Sequence, residues 1–218
     1  MMKRSRLPAP SIPTQIKNAD LVGRRRLQIV DAAVELFIAN GYHKTTTREI
    51  AKRSGISIGL LYEYINSKED ILYLVCDAIH TEVEKGVKEA LANDSSGSES
   101  LAAMIKEYFM ICDRMSDHIL LIYQETRSLP SHWQRKVLEK EIKITGIFKE
   151  ALADLARSGG IPKIDSRSMT LTAHNIVVLG HMWTFRRWEI QKEFDIEEYI
   201  RRQTEFVIGS ISEKDSPY

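Results

Sequence analysis
Apolar residues recur along this chain at three- and four-residue spacing, the period of amphipathic helices, and no stretch carries a convincing strand alternation. Leu27, Val30, Val34 and Phe37, with Ala33, fall on one face, so a helix runs from about Arg24 until Asn40-Gly41 stops it. Thr46 followed by Glu49 has the spacing of a capping box and opens a short helix to about Arg53, which Gly55 breaks. Ser57 is the next N-cap, for a short helix to about Tyr64. Ser67 with Asp70 three residues on starts a longer one that continues to about Leu91. Between Thr14 and Leu129 there is no proline, which permits helices of this length.

The stretch ANDSSGSES at 92–100 is a loop by composition. Helices are predicted at about 99–115 and 117–128, and a third opens at Pro130 and ends at Ser158-Gly159-Gly160. Asp165 caps a helix of roughly 24 residues ending near Glu189, and Asp195 precedes a last helix to about Ile211. The fold class is therefore all-α, with about nine helices and no internal repeat. Pro8, Pro10 and Pro13 among polar neighbours make the N-terminus a disordered basic arm, residues 1–22. A helix-turn-helix domain follows over 23–70, and a larger helical domain over 71–218.

Composition narrows the function. The 218 residues are 43% apolar and 28% charged, ordinary globular material, and no run approaches the roughly 18 to 20 apolar residues of a membrane helix. The first residues are basic but carry no apolar core of a secretory leader, which gives an expectation of a cytoplasmic protein without membrane contact. Cys76 and Cys112 are too few for a disulfide framework or a multi-cysteine zinc site. Charge is unevenly spread. Residues 1–70 hold 12 Lys and Arg against 7 Asp and Glu, whereas 71–218 hold 19 against 23, so the basic end suits a polyanion. There is no Gly-rich phosphate loop, no HExxH, no nucleophile elbow and no triad by spacing, so nothing points to an enzyme or to a cofactor.

Two short helices joined by a turn containing Gly55 outline a helix-turn-helix. Around that outline several positions match together: Phe37, Gly41, Tyr42, Thr45-Thr46, Ile50-Ala51, Gly55, Ser57, Gly59, Leu61-Tyr62, Tyr64 and Ser67-Lys68-Glu69. Over residues 24 to about 75 the chain resembles the DNA-binding domain of the TetR/AcrR family of bacterial transcriptional repressors. The resemblance implies operator DNA as partner, with Thr46 and Thr47 at a helix head suited to a phosphate and Lys44 and Arg48 flanking it. Tyr62 and Lys68 occupy positions that the family uses for phosphate contacts. Base reading falls to the segment Ser57 to Glu63, with Ile58, Gly59, Leu60 and Tyr62 within it, and with help from Arg48; Tyr64 just beyond is counted among the DNA-binding residues. Capping alone also accounts for Thr46 and Ser57. Family members often have Lys, Thr and Arg or His where this chain has Ile58, Leu60 and Glu63, so the helix is poor in donors. Ile58 and Leu60 can contact thymine methyl groups. Glu63 can accept from a cytosine amino group or hold a neighbouring arginine. Arg24, Arg25 and Arg26, with Lys3, Arg4 and Arg6, then supply electrostatics from the arm, either in an adjacent minor groove or as a solvated tail.

For the larger domain the resemblance implies a homodimer built on the last two long helices and a small-molecule effector. Val177, Val178, His181 and Phe185, then Tyr199, Ile200 and Phe206, make apolar stripes there. Candidate effector-binding residues are Tyr108, Tyr123, Glu125, Trp133, Phe148, Asn175 and Met182, polar or aromatic groups among apolar helix faces. Met104, Phe109, Met110, Ile144 and Phe148 suit an acyl chain or acyl-CoA as well as a plain core. His174 and His181, seven apart, pack at the dimer interface or bind metal, and the packing role is preferred, so no metal is assigned. The resulting expectation is a repressor released from its operator by a hydrophobic or acyl-CoA-like ligand. The alternative is a DNA-binding regulator controlled by abundance or a protein partner.

Overall fold
Helix caps govern where the chain turns. In the computed structural model, which describes residues 12–14, 16–91 and 98–212, these residues form helices and no strand. The helices are α1 (Ala19–Asn40), α2 (Thr47–Arg53), α3 (Ile58–Tyr62), α4 (Lys68–Leu91), α5 (Ser98–Arg114), α6 (Ser116–Glu125), α7 (Ser131–Ser158), α8 (Ser166–Ile190) and α9 (Ile196–Ser212). Lys3, Arg4, Arg6 and most of the 92–100 loop lie outside the described residues. No helix is long and apolar enough to cross a membrane among the described residues.

The cap residues do what their chemistry dictates. Thr46 accepts from the Glu49 amide while the Glu49 carboxylate takes the Thr46 amide at 2.7 Å, a complete capping box that holds the Glu49 pKa down. Asp165 accepts from the amides of Arg167 and Ser168. Two boundaries and one cap differ from the sequence reading. Helix α1 opens at Ala19, five residues before Arg24, because Asn18 caps the Leu21 amide at 3.0 Å and Val22 is buried. At the head of α4, Ser67 accepts from the Asp70 amide, but the Asp70 carboxylate reaches the Asn66 amide and the Trp133 indole instead of closing the box. The predicted 117–128 helix ends at Glu125 and tightens into a 3-10 turn over Thr126–Ser128.

The chain divides into two compact units. The first comprises the described residues up to Glu82 with Leu120–Lys140. Ile29, Val30 and Phe37 of α1, Ile50 of α2, Leu61 of α3 and Leu72 of α4 are all buried in it. Gly41, at φ +82°, ends α1, and Gly55, at φ +69°, makes the turn between α2 and α3; both are left-handed conformations that disfavour other residues. Arg26 departs from its expected place among the DNA-facing arginines. Its guanidinium is 2% exposed, donating through Nη2 to the Ile12 carbonyl at 2.8 Å and through Nε to the Tyr64 carbonyl at 3.0 Å. Ile12 is itself buried, and Thr14 Oγ1 donates to the Glu63 carbonyl at 2.9 Å. Residues 12–14 are therefore tied to the end of α3.

The second unit comprises Val83–Ile119 with the described residues from Glu141 onward. In it α5 packs on α8 and α9. Gly180 permits the close approach, since a Cβ there would lie 2.7 Å from Tyr108 Cε1 and 3.0 Å from Cys112 Sγ. The Trp183 indole donates to Asp113 at 2.7 Å and the Tyr199 hydroxyl to the Leu179 carbonyl at 2.6 Å. The stripes expected on α8 and α9 are split by packing: Val177, His181, Tyr199 and Ile200 turn inward, while Val178 and Phe206 remain more than half exposed, as does Leu171 outside those stripes.

Arg26→Met keeps the aliphatic stem but leaves two carbonyls without their donor. It should lower the unfolding free energy by about 2 to 4 kcal/mol in urea melts, well beyond an ordinary surface substitution.

Candidate nucleic-acid interface
Helix α3 is five residues long, too short to be stable by itself, so its neighbours hold it. Only Leu61 is buried; Ser57 Oγ caps the Leu60 amide at 3.1 Å and Arg26 fixes the Tyr64 carbonyl just beyond. This leaves Ile58, Gly59 and Tyr62 facing solvent, with Leu60 half-buried. Across the turn the Tyr62 hydroxyl lies 3.2 Å from Thr47 Oγ1, joining the end of α3 to the start of α2. Lys44, Thr46 and Arg48 are exposed beside them.

Lys68, at the first position of α4, sits over the Tyr42 ring with Nζ 4.2 Å from its centroid and donates to the His43 carbonyl at 3.3 Å. Partial burial pushes the Lys68 pKa down, against the opposing pull of Glu69, Glu125 and Glu49. Tyr42 is buried and donates to Glu69 at 3.3 Å; burial, helped by the Glu69 charge, drives its phenol well above the usual range. The same turn is gripped from the other side. Ser128 Oγ donates to Glu125 Oε2 at 2.9 Å, and that carboxylate lies 3.5 Å from His43 Nε2.

Several expected residues fall elsewhere. Tyr64, counted among the DNA-binding residues, is 3% exposed and belongs to the core. Glu63 ends α3 with an exposed side chain that pairs with no described arginine. Arg24 is exposed, and Arg25 donates to Gln28 at 2.9 Å. Among the effector candidates, Tyr123, Glu125 and Trp133 lie in the first unit and Tyr108, Phe148, Asn175 and Met182 in the second. Tyr108 and Phe148 are buried edge-to-face at 5.0 Å, with the Tyr108 hydroxyl 2.9 Å from His181 Nε2. Asn175 and His174 are exposed, and Met182 is half-buried. Among the described residues no three His, Cys, Asp or Glu side chains converge as metal ligands.

Two family models match this chain: "Bacterial regulatory proteins, tetR family" over residues 29–73, and "Tetracyclin repressor-like, C-terminal domain" over residues 94–187. The chain belongs to the tetR family of bacterial regulatory proteins. This regulator is 26% identical over 192 residues to the HTH-type transcriptional regulator HbdR of Aromatoleum sp. strain CIB, covering 88% of this chain and 82% of that protein. It is 32% identical over 123 residues to the fatty acid metabolism regulator protein of Bacillus subtilis strain 168, covering 56% of this chain and 60% of the relative. Among solved structures, that of the transcriptional regulator FadR from Bacillus subtilis in complex with stearoyl-CoA superposes with a TM-score of 0.70 at 25% identity. It covers 85% of this regulator and 98% of that chain. HbdR is named a transcriptional regulator and the Bacillus subtilis relative a regulator protein, and this regulator is a DNA-binding protein rather than an enzyme.

Tyr62→Phe and Lys68→Ala should each weaken binding to specific and scrambled duplexes alike. For Lys68→Ala the slope of log affinity against log salt should become shallower by about 0.9, one phosphate's worth. Glu63→Ala should instead change the preferred sequence, and equal loss on both duplexes in fluorescence anisotropy would refute its role in base reading.

Proposed function
We propose that this regulator is a homodimeric repressor that grips operator DNA through α2, α3 and the head of α4, and that an acyl-CoA-like effector releases it. One observation carries the DNA reading: the Thr47 and Tyr62 hydroxyls lie 3.2 Å apart on a surface that also exposes Ile58, Glu63 and Arg48. Hydroxyls and cations fix the backbone, while the base edges are left to apolar side chains and one carboxylate. On this reading Arg24, Arg25, Lys44, Thr46 and Lys68 position the protein, and Ser57 to Glu63 specify the sequence. Lys3, Arg4 and Arg6, which precede the tether at residues 12–14 in the sequence, are proposed to add to the grip on DNA. Residues 23–70 carry DNA binding and 71–218 the effector and dimer functions, in the cytoplasm where the operator is.

Exposed Leu171, Val178 and Phe206 on α8 and α9 support the homodimer, because large apolar groups at more than half exposure gain by pairing. Two recognition helices are also needed to read half-sites about one DNA turn apart. The effector class rests on the likeness to a fatty acid metabolism regulator and to a protein solved with stearoyl-CoA. Met104, Phe109, Ile144 and Phe148, all buried, are candidates for the acyl chain.

Release needs a ligand that binds the DNA-incompetent arrangement more tightly, since equal affinity shifts nothing. The contacts from Glu125 and Ser128 to His43, and from the His43 carbonyl to Lys68, give movement at the end of α6 a route to a phosphate-binding side chain.

The test is a titration of stearoyl-CoA, with coenzyme A alone and stearate as controls, into the complex with DNA from upstream of the regulator's own gene. A fall in DNA affinity of roughly 5- to 150-fold with the thioester is expected. Unchanged affinity would favour a regulator controlled by abundance or a protein partner.

A further inference from the structure
Glu63 is the C-cap of α3, so its exposed side chain leaves from the last residue that the helix controls. The peptide before it is held from inside the helix, by the Glu63 amide donating to the Leu60 carbonyl at 3.2 Å. The peptide after it is held from two directions. Its N–H, that of Tyr64, donates to the Leu61 carbonyl at 3.0 Å. Its carbonyl has no further turn of α3 beside it and accepts instead from Thr14 Oγ1 at 2.9 Å, 49 positions earlier in the chain. The two peptide planes flanking a Cα fix its φ and ψ, and with them the direction in which the side chain leaves. The Thr14 hydroxyl therefore holds the last degree of freedom that aims the Glu63 carboxylate.

Thr14 is itself placed by its neighbours, all within the first unit. Ile12 is 3% exposed, and its carbonyl accepts from Arg26 Nη2 at 2.8 Å. Pro13 lies between them, with its own φ locked and the helical backbone disfavoured at Ile12. The Thr14 hydroxyl accepts from the Ile16 amide at 3.2 Å, which leaves its single proton for the Glu63 carbonyl. That proton is spent inside the protein, so Thr14 brings neither a charge nor a donor to a phosphate. Residues 12–14 also precede the span 29–73 that the family model matches, so the brace comes from outside the matched domain.

We propose that Thr14 is a positioning residue for base reading: by bonding the Glu63 carbonyl it aims the Glu63 side chain at the end of α3, and so governs the base preference there. The proposal rests on the reading above in which α3 specifies the sequence, and it adds a residue far from α3 in the chain to the groups that decide specificity.

The test measures fluorescence anisotropy of the full chain on three kinds of DNA: the duplex that the wild type enriches from a randomised pool, that duplex changed at the base pairs whose preference Glu63→Ala alters, and a scrambled duplex. Thr14→Val keeps the shape and loses the donor. It should lower the preference for the enriched duplex about three- to tenfold, the range of one neutral hydrogen bond. Affinity for scrambled DNA and the salt slope should stay unchanged, because no charge is lost. Thr14→Ser keeps the donor and should keep the preference, which a role in packing alone would not predict. In the Glu63→Ala background Thr14→Val should have no further effect at those base pairs, because the two residues act as one unit. An unchanged preference in Thr14→Val beside a shifted one in Glu63→Ala would overturn the proposal and leave the base-reading account standing. Equal loss on every duplex, or a Thr14→Ser that behaves like Thr14→Val, would overturn it in the same way. If Glu63→Ala alters no base pair, the base-reading role of Glu63 falls and the proposal falls with it.

Discussion
A five-residue recognition helix is only as well placed as the groups that pin its ends, and here the decisive pin is a buried arginine. Arg26 reaches from the middle of α1 to the carbonyls of Ile12 and Tyr64, so one guanidinium ties the start of the described chain and the exit from α3 to the same helix. Burying an unpaired guanidinium is expensive, and an arrangement that breaks either contact forfeits its compensation. Leu61 and the Ser57 cap hold the helix at its other points. The outward set of Ile58, Tyr62 and Glu63 follows from those three constraints, because the helix has no remaining freedom to rotate.

Much of this was legible in the sequence wherever a local rule decides the outcome. Thr46 with Glu49, Ser57 and Asp165 announce helix starts through side-chain chemistry that acts within three residues, and each cap forms. Asn40-Gly41 and Gly55 mark turns for the same reason. What could not be read were contacts between residues far apart in the chain. The run Arg24-Arg25-Arg26 looks uniformly basic, and nothing in its spacing says that the third member is buried on the Tyr64 carbonyl, 38 positions away. Tyr64 shares the tyrosine-rich pattern of its neighbours, yet helical phase turns it into the core.

The helices beyond α3 were less legible because apolar periodicity identifies a face without saying what covers it. Val177 and Val178 are adjacent, and their stripe could not be divided until α5 was known to pack on α8. Glu125, expected among the effector-binding residues, meets His43 and Ser128. Asp77 gave no sign of its place, since an acidic residue within a long helix is ordinarily solvated; its burial and its pairing with Lys140 emerge only from the packing of α4 and α7.

The central claim, that this outward surface reads DNA as a dimer, is tested most directly by selecting bound duplexes from a randomised pool and sequencing them. The account predicts an enriched inverted repeat with half-sites about one helical turn apart and thymine at positions facing Ile58 and Leu60. A pool that remains unenriched after selection, with affinity set by salt alone, would contradict it.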